Sequence, residues 1–255
     1  MVLAHSLEMS HAITKASPSF QAVAGQEECR MKSAASLSAS VEDYLTAIYR
    51  LTSGGPPVGP SRLAEFMGLS VPSITVMMRR LADQGLVVKD ISRGVALSSE
   101  GEEMALSIIR RHRLSECFLV EKLGFDWGQA HVEAHRFEHA LSPEVADALD
   151  RFLGNPRLCP HGNPIPDALE PSVSPACLTL ADLSLGDRVV VRSVDERSVD
   201  MLTWLKSMGL VPGAAASVSE VDPSGATMLL RVDQRWVACG AETARCVRVE
   251  RLEES

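Results

Sequence analysis

The sequence predicts an α+β protein in three parts: a winged helix-turn-helix, a helical unit, and a C-terminal domain of short strands. Three observations predict it. A short helix, a tight turn, a longer helix and a hairpin pattern follow one another between Ser61 and Ser98. The run Ala130-His131-Val132-Glu133-Ala134-His135-Arg136-Phe137-Glu138-His139 is rich in helix formers and places imidazoles and a carboxylate on one face. From Leu178 onward the apolar pattern changes to strand-length runs.

The 255-residue length suffices for two or three cores, and the 45% apolar and 23% charged fractions are those of an ordinary globular protein. No apolar run approaches the ~20 residues that cross a bilayer, and no secretory leader is evident. The expectation is a cytoplasmic protein without a membrane partner. Cys29, Cys117, Cys159, Cys177, Cys239 and Cys246 form no C-x-x-C pair, which argues against a thiolate zinc site or a disulfide framework. The net charge of −8 does not suggest nucleic acid, yet between Pro56 and Leu97 five basic residues oppose three acidic ones. A locally basic face can steer toward phosphate whatever the total charge.

Residues 1–36 are rich in Ala, Ser and Gln without a sustained period, and read as a disordered tail. The winged helix-turn-helix is placed at 37–108. Its first helix opens at Ser40, a candidate N-cap, with Asp43 three residues on; Val41, Leu45, Ile48 and Leu51 form its apolar stripe. Ser53-Gly-Gly-Pro-Pro ends it. A short helix is expected over Ser61–Ser70, with Gly68 suited to a left-handed turn position. The longer helix starts near Ser70 with Pro72 in its first turn and ends at Gly85; Leu63, Ala64, Leu69, Ile74, Met78 and Leu81 pack the pair. Leu86–Asp90 and Val95–Ser98 form the wing. Ser70, Pro72, Ser73 and Thr75 stand where a recognition helix meets base edges, with Val71 and Val76 available to thymine methyls. Arg79 and Arg80 lie behind them, and Arg93 at the wing tip is placed to meet phosphate.

The helical unit is placed at 109–153. On a 3.6-residue repeat His131, His135, Glu138 and His139 share a face, and His112 and Glu116 form another i, i+4 pair. Four of the seven histidines fall between 112 and 139. Imidazole and carboxylate on facing helices are the materials of a metal site; the bland alternative is a solvated helix face. A Pro-rich linker, 154–177, contains Cys159-Pro-His-Gly-Asn-Pro-Ile-Pro. Cys159 and His161 read there as part of a turn rather than a ligand pair. The strand domain, 178–255, has strands at Asp187–Val194, Ala215–Val221, Thr227–Val232 and Trp236–Cys239, with a helix near Met201–Met208.

These elements resemble the diphtheria toxin repressor family of metal-dependent transcriptional regulators. The likeness runs from about Glu42 to Arg248. It is carried by Glu-Asp-Tyr-Leu-Thr-Ala-Ile-Tyr at 42–49, the Pro72 helix, Gly85-Leu-Val, Arg-His-Arg-Leu-Ser-Glu at 111–116, Glu138-His139-Ala-Leu-Ser and the Cys159 segment. The resemblance implies two metal positions: an ancillary one at His112, Glu116 and His131, and a primary one at Asp43, His135, Glu138 and His139, with Glu133 close by. It also implies a homodimer on double-stranded DNA with a palindromic operator, the two recognition helices held roughly 34 Å apart. Mn²⁺ or Fe²⁺ is the expected co-repressor. Manganese is preferred, because Asp43 stands where iron-responsive members carry Met; His135 stands where iron sensors have Cys and manganese sensors Glu, and Thr46 replaces a carboxylate that some manganese sensors use. The last domain resembles the SH3-like barrel of the ferrous-iron transport protein A family. Its lent ligands match Ser198 and Met201, with Asp200 or Glu196 as stand-ins, so the ancillary site is expected to be open to water there. Ile108, Leu114, Phe118, Leu119, Leu141, Leu149 and Phe152 are the expected dimer surface. Two other readings stand beside this one: a winged-helix regulator governed by a small organic ligand, and a zinc hydrolase, since His135-Arg-Phe-Glu138-His139 fits H-x-x-E-H.

Overall fold

The computed structural model describes residues 38–52, 55–90, 94–166, 178–196 and 198–252; the tail expected over 1–36, the wing-tip Arg93 and the linker's second half lie outside them. Helix α1, Ala39–Thr52, buries Val41, Leu45 and Ile48 as its stripe predicts. Ser40 is not its cap, because the helix already includes Ala39 and Ser40. Helix α2, Pro60–Met67, stops at Gly68, whose φ of 66° is the left-handed geometry that glycine takes without strain. Helix α3, Val71–Asp83, is capped by the Ser70 side chain, which accepts from the Ser73 amide. Leu63, Ala64, Ile74, Met78 and Leu81 are buried between these helices, whereas Leu69, expected among them, is 45% exposed. The wing is the antiparallel pair β1, Val87–Asp90, and β2, Gly94–Leu97; Val58 bridges to Val95 at its side.

Helix α4, Ser99–Cys117, is capped by Ser98 and continues into a π-helical turn, Phe118–Lys122. It crosses the 108/109 boundary expected from sequence, so one rigid rod belongs to both the winged and the helical units. Helix α5, Trp127–Glu138, is capped by Asp126, whose carboxylate accepts from the Gly128 and Gln129 amides. Helix α6, Pro143–Phe152, starts at Ser142 with proline in its first turn.

The last domain is a six-stranded antiparallel sheet in the order β3-β8-β4-β5-β6-β7. The strands are β3 (Leu178–Thr179), β4 (Arg188–Val194), β5 (Ala215–Val221), β6 (Thr227–Val232), β7 (Arg235–Gly240) and β8 (Val247–Arg251). Period-2 burial in β4, β5 and β6 directs Val189, Val191, Val218, Leu230 and Val232 into one core. Helix α7, Val199–Ser207, adds Leu202 and Leu205, and Trp127 of α5 joins the same core. The SH3-like domain is thereby fastened to the helix that carries the histidines.

The expected dimer surface divides in two. Ile108, Leu114 and Leu119 are at most 2% exposed and belong to the subunit's own interior. Phe152 is 66% exposed on α6, with the Phe118 ring edge-on to it at 6.3 Å, and Phe118, Leu141 and Leu149 are half-buried; Val145, outside the expected set, is 50% exposed on the same helix. Among the described residues, no helix is long and apolar enough to cross a membrane.

Candidate metal centre

Asp43 reaches the centre from the first turns of α1, while His135, Glu138 and His139 come from the last turn and C-cap of α5. One ligand atom from each of the four lies within 4.8 Å of all the others. Asp43 Oδ1 is 3.1 Å from His139 Nε2 and 3.8 Å from His135 Nε2. Glu138 Oε1 is 2.9 Å from His135 Nδ1 and 3.5 Å from His139 Nε2. Burial raises the Asp43 pKa against the pull of the two imidazoles. The Glu138 carboxyl is also buried, but hydrogen bonds from His112 and His135 outweigh that and hold it at about 2. Asp43 Oδ1 is buried without a hydrogen bond, an unmet demand that a cation would satisfy.

Glu42, which the sequence reading did not assign, completes this corner. It accepts from Arg111 at 3.1 Å and faces His139 Nδ1 at 2.5 Å. Holding Nδ1 fixes the ring so that Nε2 faces Asp43, the usual task of a carboxylate behind a ligand histidine.

A second set of ligands meets at Glu116, which is fully buried. His112, Glu116 and His131 converge as one group, and Glu116, Cys159, His161 and Glu196 as another. Glu116 Oε1 takes His112 Nε2 at 3.0 Å and His131 Nδ1 at 2.9 Å; its Oε2 takes His161 Nδ1 at 3.2 Å. Glu196 Oε1 accepts from the Cys159 thiol at 3.2 Å and from Asn163 Nδ2 at 2.6 Å. The expected turn does form, with Gly162 N donating to Cys159 O and Cys159 N to Asn163 O. Gly162 has φ 80°, and a Cβ there would lie 2.1 Å from Arg192 O. The segment can therefore press against β4 and carry His161 inward only with glycine at that position. Cys159 and His161 thus form the expected turn and also stand with Glu116 and Glu196 in a group that could hold an ion. The side expected to be open to water is filled by them and by Glu196, while Ser198 serves instead as the cap of α7, accepting from the Met201 amide.

Burial works against charge on His112 and His161, but the carboxylates around them win. Glu116 and Glu138 raise His112 to about 10, and Glu116 and Glu196 raise His161 to about 9. Burial, with Glu196 and Glu116 adding to it, drives the Cys159 thiol well above its ordinary value. His161 Nε2 is buried without a hydrogen bond. The two centres are joined: Glu138 turns Oε1 toward His135 and Oε2 toward His112 Nδ1, at 2.5 Å. Glu133, expected nearby, pairs with Arg136 at 2.8 Å instead. Thr46 bonds the Asp43 carbonyl at 3.0 Å.

Ser70, Pro72, Ser73, Thr75, Arg79 and Arg80 are all exposed on α3. Thr75 Oγ1 donates to the Val71 carbonyl at 2.8 Å, and Val71 and Val76 are 42% and 68% exposed. This unpacked polar and apolar face is the composition that base-edge contact requires.

Comparison with known proteins gives one consistent result. The family model described as the iron dependent repressor N-terminal DNA binding domain matches residues 36–95, and that of the iron dependent repressor metal binding and dimerisation domain matches 98–167. The FeoA domain model matches 178–251. The iron-dependent repressor IdeR of Mycobacterium leprae is 33% identical over 225 residues, spanning 84% of this chain and 97% of the relative. The diphtheria toxin repressor of Corynebacterium glutamicum is 29% identical over 221 residues, with the same coverage. Among solved structures, a manganese-dependent transcriptional repressor in complex with manganese superposes with a TM-score of 0.76 at 32% identity, covering 83% of this chain and 100% of that one. ScaR with bound Zn²⁺ gives 0.74 at 32% identity, covering 83% and 99%.

Proposed function

Because the chain belongs to the iron-dependent repressor family, a family of metal-dependent DNA-binding regulators and not of enzymes, we propose that it represses transcription when Asp43, His135, Glu138 and His139 close on a divalent ion. The carrying observation is that Asp43 belongs to the DNA-reading unit while its three companions belong to the helical unit. A divalent ion supplies the positive charge that draws these four ligands to one point. Asp43 contributes the carboxylate whose Oδ1 lacks a hydrogen bond, Glu138 contributes Oε1, and the two histidines contribute nitrogens already aimed there. Since all four meet only in one orientation of α1 against α5, ligand binding free energy is available only to that orientation.

We assign a second ion to Glu116, Cys159, His161 and Glu196, with His112 and His131 beside them. His161 Nδ1, which faces Glu116, Glu196 and Cys159, and Cys159 Sγ fit that role, the thiol giving up its proton on binding. Carboxylate and imidazole donors at the first site suit Mn²⁺ or Fe²⁺. Manganese is preferred there, because no sulfur ligand stands among the four.

Glu138 argues against the hydrolase reading. Its Oε1 sits 2.9 and 3.5 Å from the two histidines that would hold zinc, so it occupies a ligand position and not that of a base acting on water. Two such chains form a dimer through the dimerisation domain and read a palindrome, with Ser70, Pro72, Ser73 and Thr75 at base edges and Arg79, Arg80 and Arg93 at phosphates. The test is an anaerobic DNA-shift titration with Mn²⁺, Fe²⁺ and Zn²⁺ against a chelator control. Binding that the chelator leaves unchanged would favour control by an organic ligand instead.

A further inference from the structure

The buried carboxylates are arranged as a chain, and each divides its two oxygens between neighbours. From Asp43 the contacts run through His139 and His135 to Glu138 Oε1, from Glu138 Oε2 to His112, and from His112 to Glu116 Oε1. Glu116 Oε2 continues to His161, which is 3.6 Å from Glu196 Oε1. Glu196 Oε2 then faces Arg50 Nη2 at 3.7 Å. Arg50 is on α1, seven residues after Asp43 and therefore almost on the same helix face. The chain leaves the DNA-reading helix at one point and returns to it two turns later.

Between these two points α1 is not packed solid against α5. A cavity of about 610 Å³ lies there, lined by Asp43, Ala47 and Arg50 on one side and His131 and His135 on the other, with Glu196 at its edge. Because α1 packs on α4 but not solidly on α5 across this gap, the groups at the ends of the gap govern how it sits toward α5. Glu196 is suited to do so. It is 5% exposed and lies beside Glu116, so its charge needs cations, and Arg113 at 3.9 Å and Arg50 supply them. Oε1 faces Cys159, Asn163 and His161, whereas Oε2 is left for Arg50.

We propose that Arg50 and Glu196 form a second tether on the DNA-reading helix, through which the SH3-like domain passes occupancy of the Glu116–Cys159–His161–Glu196 site to α1. This rests on the assignment of a second ion made above. Arg50 is a positioning residue, touching neither DNA nor an ion. When Glu196 Oε1 is committed to the site, the carboxylate is held in place and Oε2 presents a fixed anion to Arg50. Without an ion Oε1 is held by the Cys159 thiol and Asn163 beside His161, a weaker hold than a divalent ion gives, and the tether is correspondingly looser.

The test uses the full chain with Mn²⁺ alone. An Asp43→Ala background removes the first site, so that titration fills the second. Calorimetry reads ion binding, and hydrogen exchange of residues 39–52 reads the helix. The expected result is one Mn²⁺ bound in D43A and in D43A/R50Q alike. Exchange in α1 should slow by about 5-fold or more on binding in D43A, the lower end of ordinary coupling. It should not change in D43A/R50Q, and D43A/R50K should recover part of the effect. Equal slowing with and without Arg50, while Mn²⁺ binds both, overturns the tether and leaves the second site standing. No Mn²⁺ bound to D43A overturns the second-ion assignment and the tether with it.

Discussion

Asp43 and Glu138 have different duties although both are carboxylates. Asp43 is partly exposed, so Asp43→Ala should leave the melting temperature nearly unchanged while operator affinity in Mn²⁺ falls by about 5- to 150-fold, the span of an allosteric coupling. Unchanged Mn²⁺-dependent binding in a DNA-shift assay would refute its role. Glu138→Ala strips the same site and also leaves buried His112 Nδ1 without its partner, so it should lower stability as well, by roughly 1–3 kcal/mol in denaturant titration. The histidines predict a pH dependence. With His112 near 10 and His161 near 9, both above the ordinary 6.5, the rings stabilise the ion-free fold fully below about 6.5, and that contribution is lost as pH rises through 9 and 10. Glu138, depressed to about 2, contributes above its ordinary 4.5 and loses this as pH falls through 2. His161 is thus charged at pH 7 and must lose a proton to act as a ligand, as must the buried Cys159 thiol. Uptake of Mn²⁺ should release roughly two protons per chain and tighten from pH 6 to pH 8. Calorimetry in two buffers of unlike ionisation enthalpy measures this, and heats independent of buffer would contradict it.

At the scale of elements, α3 and α6 carry separable functions. Arg80 is exposed on α3 without a role in its packing. Arg80→Ala should therefore weaken binding about equally across DNA sequences and lower the slope of log affinity against log salt by about 1, as loss of one phosphate contact does. A sequence-selective loss would place Arg80 at a base edge instead. Helix α6 leaves Val145 and Phe152 exposed on a helix whose other side is anchored by Ala146. Phe152→Glu should shift the chain from dimer to monomer in sedimentation with its helical circular dichroism retained; a persistent dimer would move the interface elsewhere. Leu114→Ala should do the reverse, costing about 2–5 kcal/mol of stability, because Leu114 lies in the subunit core.

For the whole molecule, what was legible in sequence followed periodicity and local chemistry. The α3 cap, the Gly68 turn, strands β5 and β6, and the shared face of His135, Glu138 and His139 are all short-range patterns. Glu196 was legible only through the resemblance, as a stand-in beside Asp200, since it lies 80 residues from Glu116 and meets it only when the SH3-like domain docks through Trp127 onto α5. Cys159 and His161 were visible as a pair but read as a turn, because nothing local to them reports Glu116. The dimer surface was overdrawn for a related reason: an apolar residue on an amphipathic helix looks the same whether it faces its own core, as Ile108, Leu114 and Leu119 do, or a partner. The account depends on one ion joining α1 to α5, and anomalous diffraction at the manganese edge, from crystals of the full chain grown with Mn²⁺, tests it most directly. It predicts a peak within coordination distance of Asp43, His135, Glu138 and His139 together. A map with manganese elsewhere, or with Asp43 turned away from it, would contradict the account.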